Sequence, residues 1–322
     1  MSRTFASSGV HAAMHPSRRA VIAGAGLLPL SATLLGRVAA PAQAEPAGLI
    51  RRPIPSSGET LPVIGIGTSR RYEVEPNAES VAPLREAVQR FVALGGTVID
   101  TAPSYGSAED VLGLILGQDD LRSKVFLCSK VGTPGREGGA AEIARSFKRL
   151  NTAMIDLVAV HNLIDPETNL ATLRALKAEK KIRYLGVTVW RDSQFADLES
   201  LMRRETLDVV QVNYALDDRQ AAARILPLAA ERGVAVMVNV PFGRDRLLKA
   251  VQGRELPPWA AEFGCASWPQ FFLKYVLAHE AVTCPIPGMA KAAYVEDNLA
   301  AARGPMPDAA QRKLMETFVD AL

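Results

Sequence analysis

The sequence predicts an α/β protein of the (β/α)8 TIM barrel type, with an N-terminal hairpin and a C-terminal helix. Three observations point there: eight short β-rich runs, segments of 3.6-residue apolar periodicity between them, and polar residues closing three of the runs. With 322 residues, 48% of them apolar, the chain is long enough for one such barrel, which needs about 250.

Residues 1–44 stand apart. They carry Arg3, Arg18, Arg19 and Arg37 and no acid; removing these four from a net charge of +3 leaves the remainder at −1. That balance gives no reason to expect nucleic acid or an anionic membrane surface as a partner. Ser17-Arg18-Arg19 precedes an apolar run from Ala20 to Leu35, and Ala42-Gln43-Ala44 offers a small-x-small cleavage site before Glu45. The pattern predicts a twin-arginine signal peptide over 1–44, with the twin-arginine export machinery as partner and a periplasmic destination. Val21 and Ile22 stand where that pattern prefers Phe and Leu. Broken by Gly24, Gly26 and Pro29, the run is short for a hydrocarbon core of about 30 Å, so no stable membrane insertion is expected after processing. Cys128, Cys265 and Cys284 lack CxxC spacing, which suggests neither a disulfide framework nor a structural zinc site. A disulfide-free exported protein suits a route that carries folded chains, and such a route also lets a cofactor travel inside.

Residues 45–60, rich in Pro, Gly and Ser, read as a linker running into a short hairpin around Ser56-Ser57-Gly58-Glu59, and the barrel is expected over 61–322. Its eight candidate strands are Val63 to Thr68, Val98 to Asp100, Val125 to Lys130, Ile155 to His161, Tyr184 to Val189, Val209 to Tyr214, Ala235 to Val240 and Thr283 to Ile286. Helical periodicity fills the gaps, as at Val81 to Leu94, Leu170 to Ala178 and Phe271 to Ala278, and the tail after Asn298 reads as a closing helix. The rival is an open doubly wound sheet. No Gly-x-Gly-x-x-Gly joins a strand to a helix, because the stretch starting at Gly65 ends in Arg70.

In a barrel of this kind the reaction site lies at the C-terminal ends of the strands. Three runs end in Asp100, Lys130 and His161, with Tyr105 in the loop just after the first. Charges there would face a confined cavity and need partners. Singly, each has a plain structural use: a helix cap, a surface aromatic, a snorkelling lysine, a core imidazole.

From about Leu61 to Asn298 the sequence resembles the aldo-keto reductase family. Gly96-Thr97-Val98-Ile99-Asp100-Thr101-Ala102-Pro103-Ser104-Tyr105, followed by Glu109-Asp110-Val111-Leu112-Gly113, matches the family's Asp-Thr-Ala segment, with Tyr five residues after Asp and a Glu-x-x-apolar-Gly helix. Ser129-Lys130 and Val160-His161-Asn162 complete the family's set of four in order. The resemblance implies reduction of an aldehyde or ketone by hydride transfer from NADPH, with Tyr105 as proton donor. Carbonyl reduction develops negative charge on oxygen, and a phenol of ordinary pKa about 10 is a weak donor. An ammonium about 4 Å away is worth roughly 4 kcal/mol at an effective dielectric near 20, about three pKa units. Lys130 is expected in that position, Asp100 as its ion-pair partner, and His161 as the group that orients the carbonyl.

The resemblance also implies an NADPH site built from the later strands. Gln211 and Thr188 fit the family's contacts to the nicotinamide carboxamide; Phe242 and Gly243, Ile286 and Gly288, and Lys291 and Asn298 fall in segments that would hold the rest of the cofactor. Arg244 and Arg246 suit a pyrophosphate, an acidic substrate or a solvated basic loop equally. Val189 stands where the family usually has Asn, and Asn239 where many members stack an aromatic ring. Tyr294 stands at a position often occupied by Arg, leaving Lys291 as one cation for a 2′-phosphate. Those departures keep a second reading open, a non-catalytic or redox-sensing barrel that holds its cofactor in the periplasm. A hydrolase or isomerase using paired carboxylates would need acids at two strand ends, and only Asp100 qualifies. Trp190, Trp259 and Trp268 suit either a substrate pocket or core packing.

Overall fold

A computed structural model describes residues 48–322, so the segment read as a signal peptide lies outside the described residues. The first two strands, β1 (Arg51–Pro53) and β2 (Thr60–Pro62), pair antiparallel across the Ser56–Glu59 turn. Eight parallel strands follow: β3 (Ile66–Gly67), β4 (Val98–Asp100), β5 (Phe126–Val131), β6 (Ile155–His161), β7 (Ile182–Thr188), β8 (Val209–Asn213), β9 (Ala235–Asn239) and β10 (Cys284–Pro285). Each pairs with its sequence neighbour, the order expected of consecutive βα units. The ring closes where the Gly65 N–H donates to Pro285 O at 3.0 Å and the Gly67 N–H to Pro287 O at 2.9 Å. Closure requires glycine at position 67, since a Cβ there would meet Ile286 O at 2.5 Å.

The strand alternation divides the apolar residues into two cores. Val98, Phe126, Cys128, Leu157, Tyr184, Val209, Met237 and Cys284 fill the barrel interior; Ile99, Leu127, Val158, Val187, Val210 and Val236, one residue along each strand, pack against the surrounding helices. Ile54 and Leu61 of the hairpin join the interior set, so the hairpin plugs the end where the strands begin. Ile54 is thus packed into the barrel floor, while the turn at Ser56–Gly58 stays exposed. Arg52 fixes the hairpin by donating to Leu277 O, His279 O and Val282 O, carbonyls at and beyond the end of helix Trp268–Leu277.

The outer helices begin where capping residues stop the preceding loop. Asn77 accepts from Ser80 N ahead of helix Ala78–Ala93, Ser267 from Gln270 N ahead of helix Trp268–Leu277, and Asp308 forms a capping box with Gln311 for the closing helix Ala309–Asp320. Trp259 and Trp268 pack with Phe271 and with Phe318 of that last helix, so they serve as core aromatics. Among the described residues no helix is long and apolar enough to cross a membrane.

Candidate active site

Strand register brings the polar strand ends together. Asp100 lies opposite Cys128, Lys130 opposite Ala159, His161 opposite Thr188 and Thr188 opposite Gln211, so all these side chains belong to the interior-facing set at the C-terminal rim. The interior below is apolar; the rim is where polar groups collect.

Lys130 is the hub of that rim. Only 2% exposed, it donates from Nζ to Asp100 Oδ2 at 2.7 Å and to Thr101 O at 2.8 Å, and sits 4.9 Å from the centroid of the Tyr105 ring. Burial alone would favour the neutral amine, but Asp100 and then Tyr105 outweigh it and raise the lysine pKa, so the ammonium persists. Burial pushes the Asp100 carboxyl upward against the pull of Lys130. For the Tyr105 phenol, burial comes first and raises the pKa; Lys130 draws it down and Asp100 pushes it up again, leaving a net rise. The expectation of a phenol acidified by its neighbour is corrected here. Lys130 spends its charge on Asp100 and Thr101 O, and desolvation outweighs what remains. A phenol above its usual value keeps its proton at neutral pH, as a proton donor must.

His161 is held neutral. Burial, then repulsion from Lys130, lowers its pKa to about 4. The ring meets Tyr105 edge-on, with centroids 6.1 Å apart at 84°, and its Nδ1 lies 3.5 Å from Ser104 Oγ. All four residues expected at the reaction centre therefore share one patch of the rim.

Beside them, Thr188 and Gln211 are buried on neighbouring strands, and the Gln211 amide lies against the Asp100 carboxylate without closing a hydrogen bond of good geometry. A buried amide donor so poorly satisfied carries part of its desolvation cost unmet, which a ligand acceptor would remove. Asn239, at the end of β9, turns its amide aside and donates from Nδ2 to Val189 O at 3.1 Å. That tie links two of the three positions that depart from the family pattern, and no local sequence signal announces it.

The loop after β9 crosses the rim as a strap. Val240, Gly243, Arg244 and Asp245 all adopt positive φ, costly for the β-branched Val240 in particular. Gly243 is required, because a Cβ would meet Asp217 Oδ2 at 2.4 Å. The strap is tied on three sides. Arg246 pairs with Asp217 at 2.9 Å, Asp245 with Arg71 at 3.4 Å, and Arg244 lies 4.2 Å over the Trp190 ring, whose centroid is also 4.3 Å from Arg191. Phe242 is half-buried and packs against the outer core. Next to the strap come Ile286, buried, and Gly288, which leaves room for Arg71. Lys291 opens helix Ala292–Ala300, exposed and 5.7 Å over Tyr294, while Asn298 is buried on the same helix. The residues expected to hold a cofactor thus form two groups: Thr188 and Gln211 in the rim, and the strap and last-loop residues around its edge. A groove of about 640 Å³ between residues 248–256 and the start of helix Trp268–Leu277 contains none of the four rim residues.

Comparison with known proteins agrees with this geometry. The aldo/keto reductase family pattern matches residues 63–316. The chain is 33% identical over 258 residues to methylglyoxal reductase YeaE of Escherichia coli K12, covering 76% of this chain and 87% of that protein. It is 27% identical over 264 residues to aldo-keto reductase str7 of Strobilurus tenacellus, covering 70% and 78%. A crystal structure of an aldo/keto reductase from Klebsiella pneumoniae in complex with NADP and acetate superposes with a TM-score of 0.70 at 26% identity, covering 81% of this chain and 92% of that one.

Proposed function

The chain belongs to the aldo/keto reductase family, and from that premise we propose that it reduces an aldehyde or ketone with NADPH, using Tyr105 as the proton donor. The observation that carries the proposal is the buried Lys130 ammonium, bonded to Asp100 and Thr101 O and seated beside the Tyr105 ring. The pair as a whole serves no structural purpose that two well-packed apolar residues would not serve as well, since a buried ion pair is weak as a stabilising device.

NADPH, when bound, supplies the hydride. The residues present fit it: Gln211 offers a buried amide donor only weakly engaged by Asp100, Thr188 a neighbouring hydroxyl, and Lys291 a cation toward phosphate. The chain's own work is with the substrate oxygen. Tyr105 gives up its phenolic proton as charge develops there, Lys130 stabilises the phenolate left behind, and Asp100 keeps Lys130 charged in a dry setting. Neutral His161 donates to the same oxygen and aligns the carbonyl.

The leader supports export: Arg18-Arg19, the apolar run and Ala42-Gln43-Ala44 favour a twin-arginine route to the periplasm, with the enzyme folded around its cofactor before crossing. Titration of the purified protein with NADPH, read by fluorescence and followed by turnover of model aldehydes, tests the catalytic reading. Binding with turnover, reduced about 10²- to 10⁴-fold in Tyr105→Phe with binding intact, is expected. Binding without turnover would move the reading to a cofactor-holding subunit, the direction in which Val189 and Asn239 already lean.

A further inference from the structure

We propose that Ser104 is a positioning residue that sets the tautomer of His161, donating its hydroxyl proton to Nδ1 so that the ring N–H sits on Nε2 and serves the carbonyl oxygen. The inference rests on the reductive reading above and goes one step into its machinery.

A neutral imidazole carries one proton on one of two nitrogens, and only the nitrogen that carries it can donate to a substrate oxygen. The cationic form, which would donate from both, is suppressed here by burial and by Lys130. Catalysis by His161 therefore depends on which nitrogen holds the proton, and the other nitrogen's partner decides that.

Among the described residues Ser104 Oγ, at 3.5 Å from Nδ1, is the polar partner recorded for the ring. The neighbours on its other flank offer none. Gly132 packs against His161, but its N–H is already given to Glu142 Oε2 at 2.7 Å, and Ile164 meets the same region with a methyl group. Tyr105 meets the imidazole as a T-shaped ring contact, with no hydrogen bond recorded between the two side chains. Ser104 is exposed, but the backbone on either side of it is held: the Tyr105 N–H closes a turn onto Ala102 O at 3.0 Å, the Ala108 N–H bonds Tyr105 O at 2.9 Å, and Thr101 O is anchored by Lys130. The same short loop thus delivers the proton donor and the hydroxyl that orients its partner. The contact is long for a hydrogen bond, and catalytic ones commonly shorten when substrate closes on them.

The opposite assignment, Nδ1–H donating to Ser104 Oγ, would leave a bare lone pair on Nε2 toward the carbonyl oxygen and repel it. Nitrogen NMR of the protein labelled at histidine separates the two, with the His161 signal identified by its loss in His161→Asn. The expected result is an Nε2–H tautomer in the wild type, a mixture in Ser104→Ala and restoration in Ser104→Thr. In parallel, kcat/KM for a model aldehyde should fall about 3- to 10-fold in Ser104→Ala and recover in Ser104→Thr, with NADPH affinity unchanged. An Nδ1–H wild type, or a Ser104→Ala spectrum identical to it, overturns the proposal. Absence of turnover in the wild type would instead count against the reductive reading, since the tautomer is read without catalysis.

Discussion

The two ends of the barrel handle buried charge in opposite ways. At the floor, where the strands begin, the buried carboxylates of Asp156 and Asp208 are each shared among several donors. Asp156 accepts from Arg122 at 3.0 Å, Arg183 at 2.9 Å and the Leu127 N–H at 2.8 Å; Asp208 accepts from Lys177 at 2.6 Å, Ser56 at 2.8 Å and the Leu185 N–H at 2.9 Å. Glu59 of the hairpin closes the ring onto Arg183 and Tyr184. At the rim, by contrast, one ion pair is shut away, His161 is kept uncharged, and the Gln211 amide nitrogen is only poorly satisfied by the Asp100 carboxylate. A satisfied network locks a plug in place; an unsatisfied one is poised to meet a ligand. Stability and chemistry are thus segregated along the barrel axis, and substitutions at each end should separate the two.

Lys130→Met breaks that separation most severely. It strands the Asp100 carboxylate in a 4%-exposed site and removes the cation beside Tyr105. Unfolding free energy should fall by about 3–5 kcal/mol in urea, and turnover should disappear in the protein that remains folded. Stability equal to the wild type would show that the pair is not buried and coupled as described.

Asp156→Ala sharpens the contrast from the other end. It leaves two guanidiniums, each part-exposed, and one buried N–H without their shared acceptor, at a cost of about 2–3 kcal/mol. Turnover per folded molecule should match the wild type. A fall in kcat with no change in the denaturation midpoint would mean the floor communicates with the rim.

The same contrast governs what could be read from the residues alone. All eight barrel strands were legible, with ends shifted by a few residues, because each is a run of branched apolar residues that must alternate between two cores. The four rim residues were legible because together, in order and at strand ends, they resemble the aldo-keto reductase set, although each alone has a plain structural use. The turn at Ser56–Glu59 was visible as a hairpin, but its role as a plug depends on Ile54 and Leu61 entering the interior, a contact between segments far apart in sequence. Nor could local pattern announce the Asn239 tie to Val189 O, the Trp190 ring between two arginines, or the positive φ of Val240. Each is set by where a loop is carried by the strands beneath it.

Acid separates the two ends by the pH window in which each yields. His161 titrates near 4 in the folded protein and near its ordinary 6.5 when unfolded, so below about pH 6.5 the unfolded chain takes up a proton that the folded one refuses. Stability from this source is complete above that pH and declines as pH falls toward 4; between pH 7 and 5 the loss is about 2 kcal/mol. Glu59, held low at the floor by Arg183 and Tyr184 against the cost of burial, yields only below the ordinary carboxylate range. His279 is also lowered by burial and contributes in the upper window, so the informative comparison is His161→Gln with the wild type. The variant should lose much of the slope between pH 7 and 5 and keep the steep decline below pH 4.5. Over the upper window kcat/KM of the wild type should stay flat, because the folded ring remains neutral and Tyr105 remains protonated. Activity falling with a midpoint near 6.5 would mean that His161 titrates as a solvated imidazole, and the dry rim on which the mechanism depends would be lost with it.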